Sequence, residues 1–211
     1  MAILEDLAAV IIKGEADTAK NLTEEALSQN ISAEEVLNSG LVSGMNVISE
    51  QFKNNEIFIP EVLVAARAMK AGMQIIRPLL AEANVEPLGK VIIGTVGGDL
   101  HDIGKNIVSM LLEGAGFEVV DLGADVTKEK FLEFAEKENP DVLGMSALLT
   151  TTMVFMKDMV QSLEESGLKD KIKVIVGGAP ITQSYADEIR ADGYAPDAAS
   201  AVDLVKSVMG N

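Results

Sequence analysis

The chain has 211 residues, 48% of them hydrophobic, a formal charge of −16, no cysteine and one histidine. That length and apolar content suffice for one large domain or two modest ones with real cores. The charge is shared by both halves, 6 basic against 13 acidic residues in 1–88 and 11 against 20 in the rest, which opposes binding to nucleic acid or to an anionic membrane surface.

Without cysteine there are no disulfides, which fits a reducing compartment. The apolar run Leu7 to Ile12 is too short to span a bilayer and follows Glu5-Asp6 rather than a basic region, so neither a signal peptide nor a membrane helix is read. A cytoplasmic location is expected.

Residues 1 to about 82 carry helical periodicity and no convincing strand. Ile3, Leu4, Leu7, Ala8, Ile11 and Ile12 form one apolar face closed by Gly14. A second helix runs from about Glu15 through Ala19, Leu22, Ala26 and Leu27. Ser32-Ala33-Glu34-Glu35 is a capping-box signature for a third helix reaching about Phe52, with a break expected near Gly40 or Gly44. Pro60 suits the first turn of a fourth, carrying Val62, Leu63, Ala66, Met69, Met73 and Ile76 until Pro78 kinks or ends it. Four such helices predict a bundle. Ile57-Phe58-Ile59 crowd three large apolar side chains at the entry of the last one, where a hydrophobic staple or bundle core is the plain structural expectation.

The short segment 83–89 contains Pro87 and marks a boundary, giving domains of residues 1–88 and 89–211. Beyond it the pattern alternates. Strands are expected near 90–94, 118–122, 142–146, 173–176 and, weakly, 193–195; helices at about 103–113, 128–137, 153–166, 184–191 and 197–209. Five strand-helix units predict a Rossmann-like, flavodoxin-like doubly wound parallel sheet. Its loops after strands one, three and four leave the same C-terminal edge, where ligands bind in open sheets.

The first of those loops, Gly94 to Asn106, holds the only histidine. His101 lies two residues from Asp99, close enough for the carboxylate to accept one ring N–H and leave the other nitrogen for a metal or a proton. A phosphate loop does not fit: Asp99 stands where its first glycine belongs, and Asn106 replaces the magnesium-binding Ser or Thr. Zinc is poorly served by one histidine and no cysteine.

Asp99-x-His101-x-x-Gly104, within Gly98-Asp99-Leu100-His101-Asp102-Ile103-Gly104-Lys105-Asn106, resembles the cobalamin-binding signature of cobalamin-dependent methionine synthase and of the corrinoid proteins of methylamine, methanol and O-demethylase systems. Ser146 to Met153 is similar to the family's second segment and Val176-Gly177-Gly178-Ala179-Pro180 to its third, in the same order and spacing. The helical half is similar to the family's cap, so the resemblance covers nearly the whole chain.

The resemblance implies that His101 is the lower axial ligand of cobalt, displacing the cofactor's own base, with Asp99 fixing the ring. Thr152 stands where methionine synthase has a serine that extends the relay toward solvent. Gly104, Gly177 and Gly178 would give clearance to the displaced nucleotide tail, and Ser146 and Thr150 would hydrogen-bond its base; on structural grounds alone the glycines could make a tight turn and the hydroxyls could cap the next helix. Phe58 would cover the upper face of the corrin, and Met69 and Met73 belong to the core.

The function implied is carriage of a methyl group by a non-catalytic protein, its cobalamin cycling between Co(I) and methylcobalamin states. The partners implied are a substrate-specific corrinoid methyltransferase, an acceptor methyltransferase acting on tetrahydrofolate or coenzyme M, and a reductive activase, with the cap swinging aside at each visit. Three rivals remain. A cobalamin-responsive regulator would need a DNA-binding module. A divalent-metal hydrolase or dehydratase would use Asp99, His101 and Asp102 without a corrinoid. A mutase subunit would need adenosylcobalamin and a separate catalytic barrel. The sequence does not say which methyl donor is used.

Overall fold

A computed structural model describes residues 2–210 as two compact units, one formed by Met1–Leu88 with Met110–Phe117, the other by Gly89–Ser109 with Glu118–Asn211.

The first unit is helical: α1 (Ala2–Lys13), α2 (Ala16–Ser28), α3 (Ala33–Glu35), a π-helical stretch (Val36–Val42), α4 (Ser43–Lys53) and α5 (Ile59–Glu82). Ser32 Oγ accepts the Glu35 amide at 3.1 Å, as the capping signature requires. No break follows at Gly40 or Gly44; α3, the π-helical stretch and α4 run on as one rod. These glycines serve close packing instead, since a Cβ at Gly40 would lie 2.6 Å from Leu7 Cδ2 and one at Gly44 2.7 Å from Ile11 Cβ.

Nor does α5 end at Pro78. The ring removes only the donor for the Gln74 carbonyl, and buried Ile76 and Leu80 on either side hold the helix on its neighbours as far as Glu82. The buried face of α5 is built largely from small residues, Ala65, Ala68 and Gly72 beside Val62, Met69 and Ile76, while Leu63 is exposed. A Cβ at Gly72 would meet Leu41 at 2.7 Å, so the helices touch nearly backbone to backbone there. The segment after Ser109 packs with these helices: a Cβ at Gly114 would lie 2.9 Å from Met45.

The second unit alternates β1 (Lys90–Thr95), α6 (Ile103–Gly114), β2 (Glu118–Asp121), α7 (Lys128–Glu138), β3 (Val142–Ser146), α8 (Val154–Glu165), β4 (Lys173–Gly177), α9 (Gln183–Glu188), β5 (Gly193–Ala195) and α10 (Ala198–Met209). All pairings are parallel and the order is β2-β1-β3-β4-β5. Right-handed crossovers in that order put helices on both faces, and the direction of winding reverses beside β1. Ile92, Leu143 and Val174 form the middle of the sheet core, with Phe131, Met156 and Leu163 packed on it. α9 stops three residues short of expectation, with Arg190 in the left-handed region at φ 60°. Thr95, Ser146 and Gly177 are register partners at the ends of β1, β3 and β4, so the loops that follow them start side by side.

Candidate functional site

The chain leaves β1 at Thr95 and turns at Gly98, whose φ of +78° suits glycine. Asp99 follows, wholly buried. Among the described residues five groups donate to its carboxylate. Oδ1 accepts the His101 amide at 3.0 Å and His101 Nδ1 at 2.7 Å; Oδ2 accepts the amides of Leu148 and Leu149 at 2.8 and 3.1 Å and the Thr152 hydroxyl at 2.9 Å.

Burial pushes the Asp99 carboxyl up, but the hydrogen bonds from His101, Leu148 and Leu149 outweigh it and hold the group well below the usual carboxylate range. An ionised carboxylate only accepts, so Nδ1 must carry the proton, and in the neutral ring Nε2 then presents its lone pair. The His101 side chain is 52% exposed against 0% for Asp99. The pair is therefore a fixed, metal-seeking imidazole with its free nitrogen in the open.

Of the sequence-predicted residues, Asp99, His101 and Thr152 are in direct contact. The Thr152 proton has a second acceptor, the Leu149 carbonyl, also at 2.9 Å, and the side chain is buried rather than leading to solvent. Ser146 and Thr150 do not cap α8, whose N-cap is Met153 without a side-chain bond, and among the described residues nothing bonds their hydroxyls. Gly178 has a local reason to be glycine: its φ is +125° and a Cβ would lie 1.9 Å from the Ala147 carbonyl oxygen. A Cβ at Gly177 would sit a tight 3.3 Å from the Ala195 oxygen. Gly104 has none, since a Cβ there would meet nothing within 4 Å. Phe58, in the helical unit, is neither staple nor core but 67% exposed, held at its amide by Glu61 at 3.0 Å.

Four further residues take part, three of them visible only in three dimensions. The Thr95 hydroxyl, buried, donates to the His101 carbonyl at 3.2 Å. Asp125 accepts the Gly98 amide at 2.7 Å and donates its own amide to the Asp99 carbonyl at 3.0 Å. Lys105 is buried against Asp121; its place on the buried stripe with Ser109 and Leu112 was the available signal.

These residues suit a corrinoid better than a free divalent ion. Both Asp99 oxygens are already occupied, which removes the carboxylate a hydrolase would offer its metal, and no group of three or more acidic or histidine residues able to hold a metal ion occurs among the described residues. One imidazole donor is what a corrin ring leaves to be supplied; exposed Leu100 and Ile103 flank that donor in sequence, and exposed Leu148 and Leu149, whose amides bond Asp99, add apolar surface.

A doubly wound domain whose strand-end loops hold a carboxylate-braced histidine is a cofactor-binding module. Residues 89–203 match the B12 binding domain family, and residues 3–77 match a second B12 binding domain family. The chain is 41% identical to a corrinoid protein of Desulfitobacterium hafniense (strain Y51), over 100% of its own length and 99% of the relative's. It is 44% identical to the dimethylamine corrinoid protein of Methanosarcina barkeri, over 98% and 97%. Its fold superposes on a chain of the methanol:cobalamin methyltransferase complex of Methanosarcina barkeri with TM-score 0.91 at 32% identity, covering 100% of this chain and 80% of that one. The chain belongs to the B12-binding corrinoid proteins, and cobalamin is its cofactor. No helix among the described residues is long and apolar enough to cross a membrane.

Proposed function

We propose that the protein carries a methyl group on cobalt between a substrate-specific methyltransferase and a second methyltransferase that passes it to tetrahydrofolate or coenzyme M. The observation that carries this reading is the buried, fully bonded Asp99 carboxylate that leaves His101 Nε2 free. Bound cobalamin supplies a cobalt that accepts and releases the methyl group.

The chain's own residues bind and orient. His101 Nε2 would hold the cobalt, and Asp99 keeps the ring in one tautomer. The Thr152 hydroxyl donates to Asp99, with the Leu149 carbonyl as its second acceptor, and so helps hold the carboxylate ionised and aimed at the ring. Gly104 clears space for the nucleotide tail, since glycine in a helix turn otherwise costs about 1 kcal/mol against alanine. By the family likeness Gly177 and Gly178 would lie beside that tail, and the unbonded hydroxyls of Ser146 and Thr150 would be available to its base. The family likeness assigns Phe58 to the upper corrin face, and its exposed ring is free for that task.

On this reading the chain has two domains, 1–88 and 89–211, no catalytic residue of its own, a reductive activase as third partner, and a cytoplasmic location. Relatives matched here include a dimethylamine corrinoid protein and a chain of a methanol:cobalamin methyltransferase complex, which supports a methyltransferase as partner.

The test is the ultraviolet-visible spectrum of the protein after reconstitution with hydroxocobalamin and desalting, beside His101→Ala. Retention with a histidine-ligated spectrum, lost or changed to base-off in the variant, is expected. Identical spectra would remove His101 from cobalt, and absence of corrinoid from both would overturn the reading.

A further inference from the structure

Lys105 is a buried charge outside the ligation scheme. Its side chain is 0% exposed, and its ammonium lies 2.6 and 2.5 Å from the two Asp121 oxygens and 2.6 Å from Asn106 Oδ1. Three protons meet three acceptors. The position is an unfavourable one for a cation, because Lys105 is the third residue of α6 and a helix N-terminus carries partial positive charge. Only the lysine is buried, since the Asp121 side chain is 37% exposed; an ion pair with one desolvated partner is a weak source of net stability, which leaves the fixing of geometry as its use here.

The geometry fixed here is that of the histidine turn. Asp121 is the last residue of β2, paired with Ile93 of β1, and its Oδ1 also accepts the Gly123 amide at 2.9 Å. Lys105 thus ties the entry of α6 to the end of β2. On the other side of the turn, Asp125, in the loop after β2, grips Gly98 and Asp99 through two hydrogen bonds. His101 lies between these two anchorages, its own carbonyl held by Thr95.

We propose that Lys105 and Asp121 are a positioning pair for His101: by locking α6 onto β2 they hold the imidazole where Nδ1 donates to Asp99 and Nε2 faces outward. The functional meaning rests on His101 as the cobalt ligand; the positioning itself is a property of the cofactor-free chain. Without the pair the entry of α6 moves relative to Asp99 and the ring exchanges between tautomers.

His101 is the only histidine, so its ring signals are unambiguous in nuclear magnetic resonance of the untagged, nitrogen-15-labelled full chain. The cofactor-free wild type is expected to show one tautomer, a slowly exchanging Nδ1 proton and an unprotonated Nε2. Lys105→Met and Asp121→Asn should each speed exchange of that proton about tenfold, the equivalent of one lost hydrogen bond, and bring in the Nε2–H tautomer. Lys90→Met, which removes ion pairs to Glu118 and Glu138 at the opposite end of β1, should leave both signals unchanged.

Unchanged exchange and tautomer in folded Lys105→Met and Asp121→Asn would overturn the proposal, as would equal loosening by Lys90→Met. Unfolding of both variants, read by circular dichroism, would assign the pair to the fold alone and likewise overturn it. Titration of wild type with hydroxocobalamin separates the two ideas. If the His101 nitrogens do not respond, the cobalt-ligand reading fails, while the exchange comparison still decides the role of the pair.

Discussion

Gly178 approaches Ala147 so closely that a Cβ on it would stand 1.9 Å from the alanine's carbonyl oxygen. Its φ of +125° adds a conformational cost for any other residue. Gly178→Ala should therefore destabilise the second unit by about 3 kcal/mol or more. Urea unfolding of the cofactor-free protein measures it, and a loss below about 1 kcal/mol would show that the two loops can separate at little cost.

Gly104 makes the opposite case. It sits in the first turn of α6 with open space where a side chain would be. Gly104→Ala should stabilise the cofactor-free protein by about 0.5–1 kcal/mol, and Gly104→Leu should leave it folded. Both should weaken retention of hydroxocobalamin after desalting, Leu more than Ala. Undiminished retention by Gly104→Leu would place the nucleotide tail elsewhere.

Asp99 sets a pH dependence whose sign follows from its lowered folded-state pKa. The unfolded carboxyl titrates near pH ~3.9, so the stabilisation is fully present above that value and is lost as pH falls toward the folded-state pKa. At pH 7 Asp99→Asn should cost on the order of 3 kcal/mol, because the amide nitrogen faces donors it cannot satisfy. The gap between the two proteins should narrow as pH drops below about 4, read from thermal unfolding at stepped pH. A constant gap would mean that the carboxylate's charge is not what the surrounding donors hold.

Thr95→Val removes one hydroxyl and almost no volume. It should cost about 1 kcal/mol and loosen the His101 carbonyl without disturbing β1, whose backbone bonds at Thr95 to Gly123 and Val126 remain. Denaturant midpoints give the first figure. The His101 Nδ1 proton exchange rate checks the second, and no change in it would leave Thr95 a role in the sheet alone.

Phe58→Ala tests exposure directly. With the ring 67% exposed, the stability of the cofactor-free protein should change by no more than about 0.5 kcal/mol. A larger loss in a calorimetric scan would make Phe58 part of the bundle core.

Much of the fold is legible in the chain because its signals are local. Val91-Ile92-Ile93 and Val174-Ile175-Val176 are β-branched or aliphatic runs with glycine after them, and each becomes a central strand. Ser32 and Glu35 mark a helix start by chemistry that needs no distant partner. What escaped is tertiary. Periodicity put Leu63 on the inner stripe of α5 for its size, whereas the bundle selected Ala65, Ala68 and Gly72 because small residues let helices meet closely. Pro78 reads as a kink or a stop, yet the helix runs on to Glu82, packing of Ile76 and Leu80 outweighing one missing bond. At the site, Asp99 and His101 are two residues apart and could be paired by eye. Thr95, Asp121 and Asp125 act through partners elsewhere in the chain, so nothing in their neighbours announces them.

Three of the donors to Asp99 lie 49, 50 and 53 residues beyond it in the chain. Such long-range closure comes late, after β3 has docked beside β1 and its loop has folded back. During synthesis the nascent chain therefore passes through a period in which Asp99 and His101 are made but the donors to the second oxygen of Asp99 are not. The hydrogen-bond set of Asp99 is completed only once Thr152, 53 residues further along, has been made and its loop has folded back.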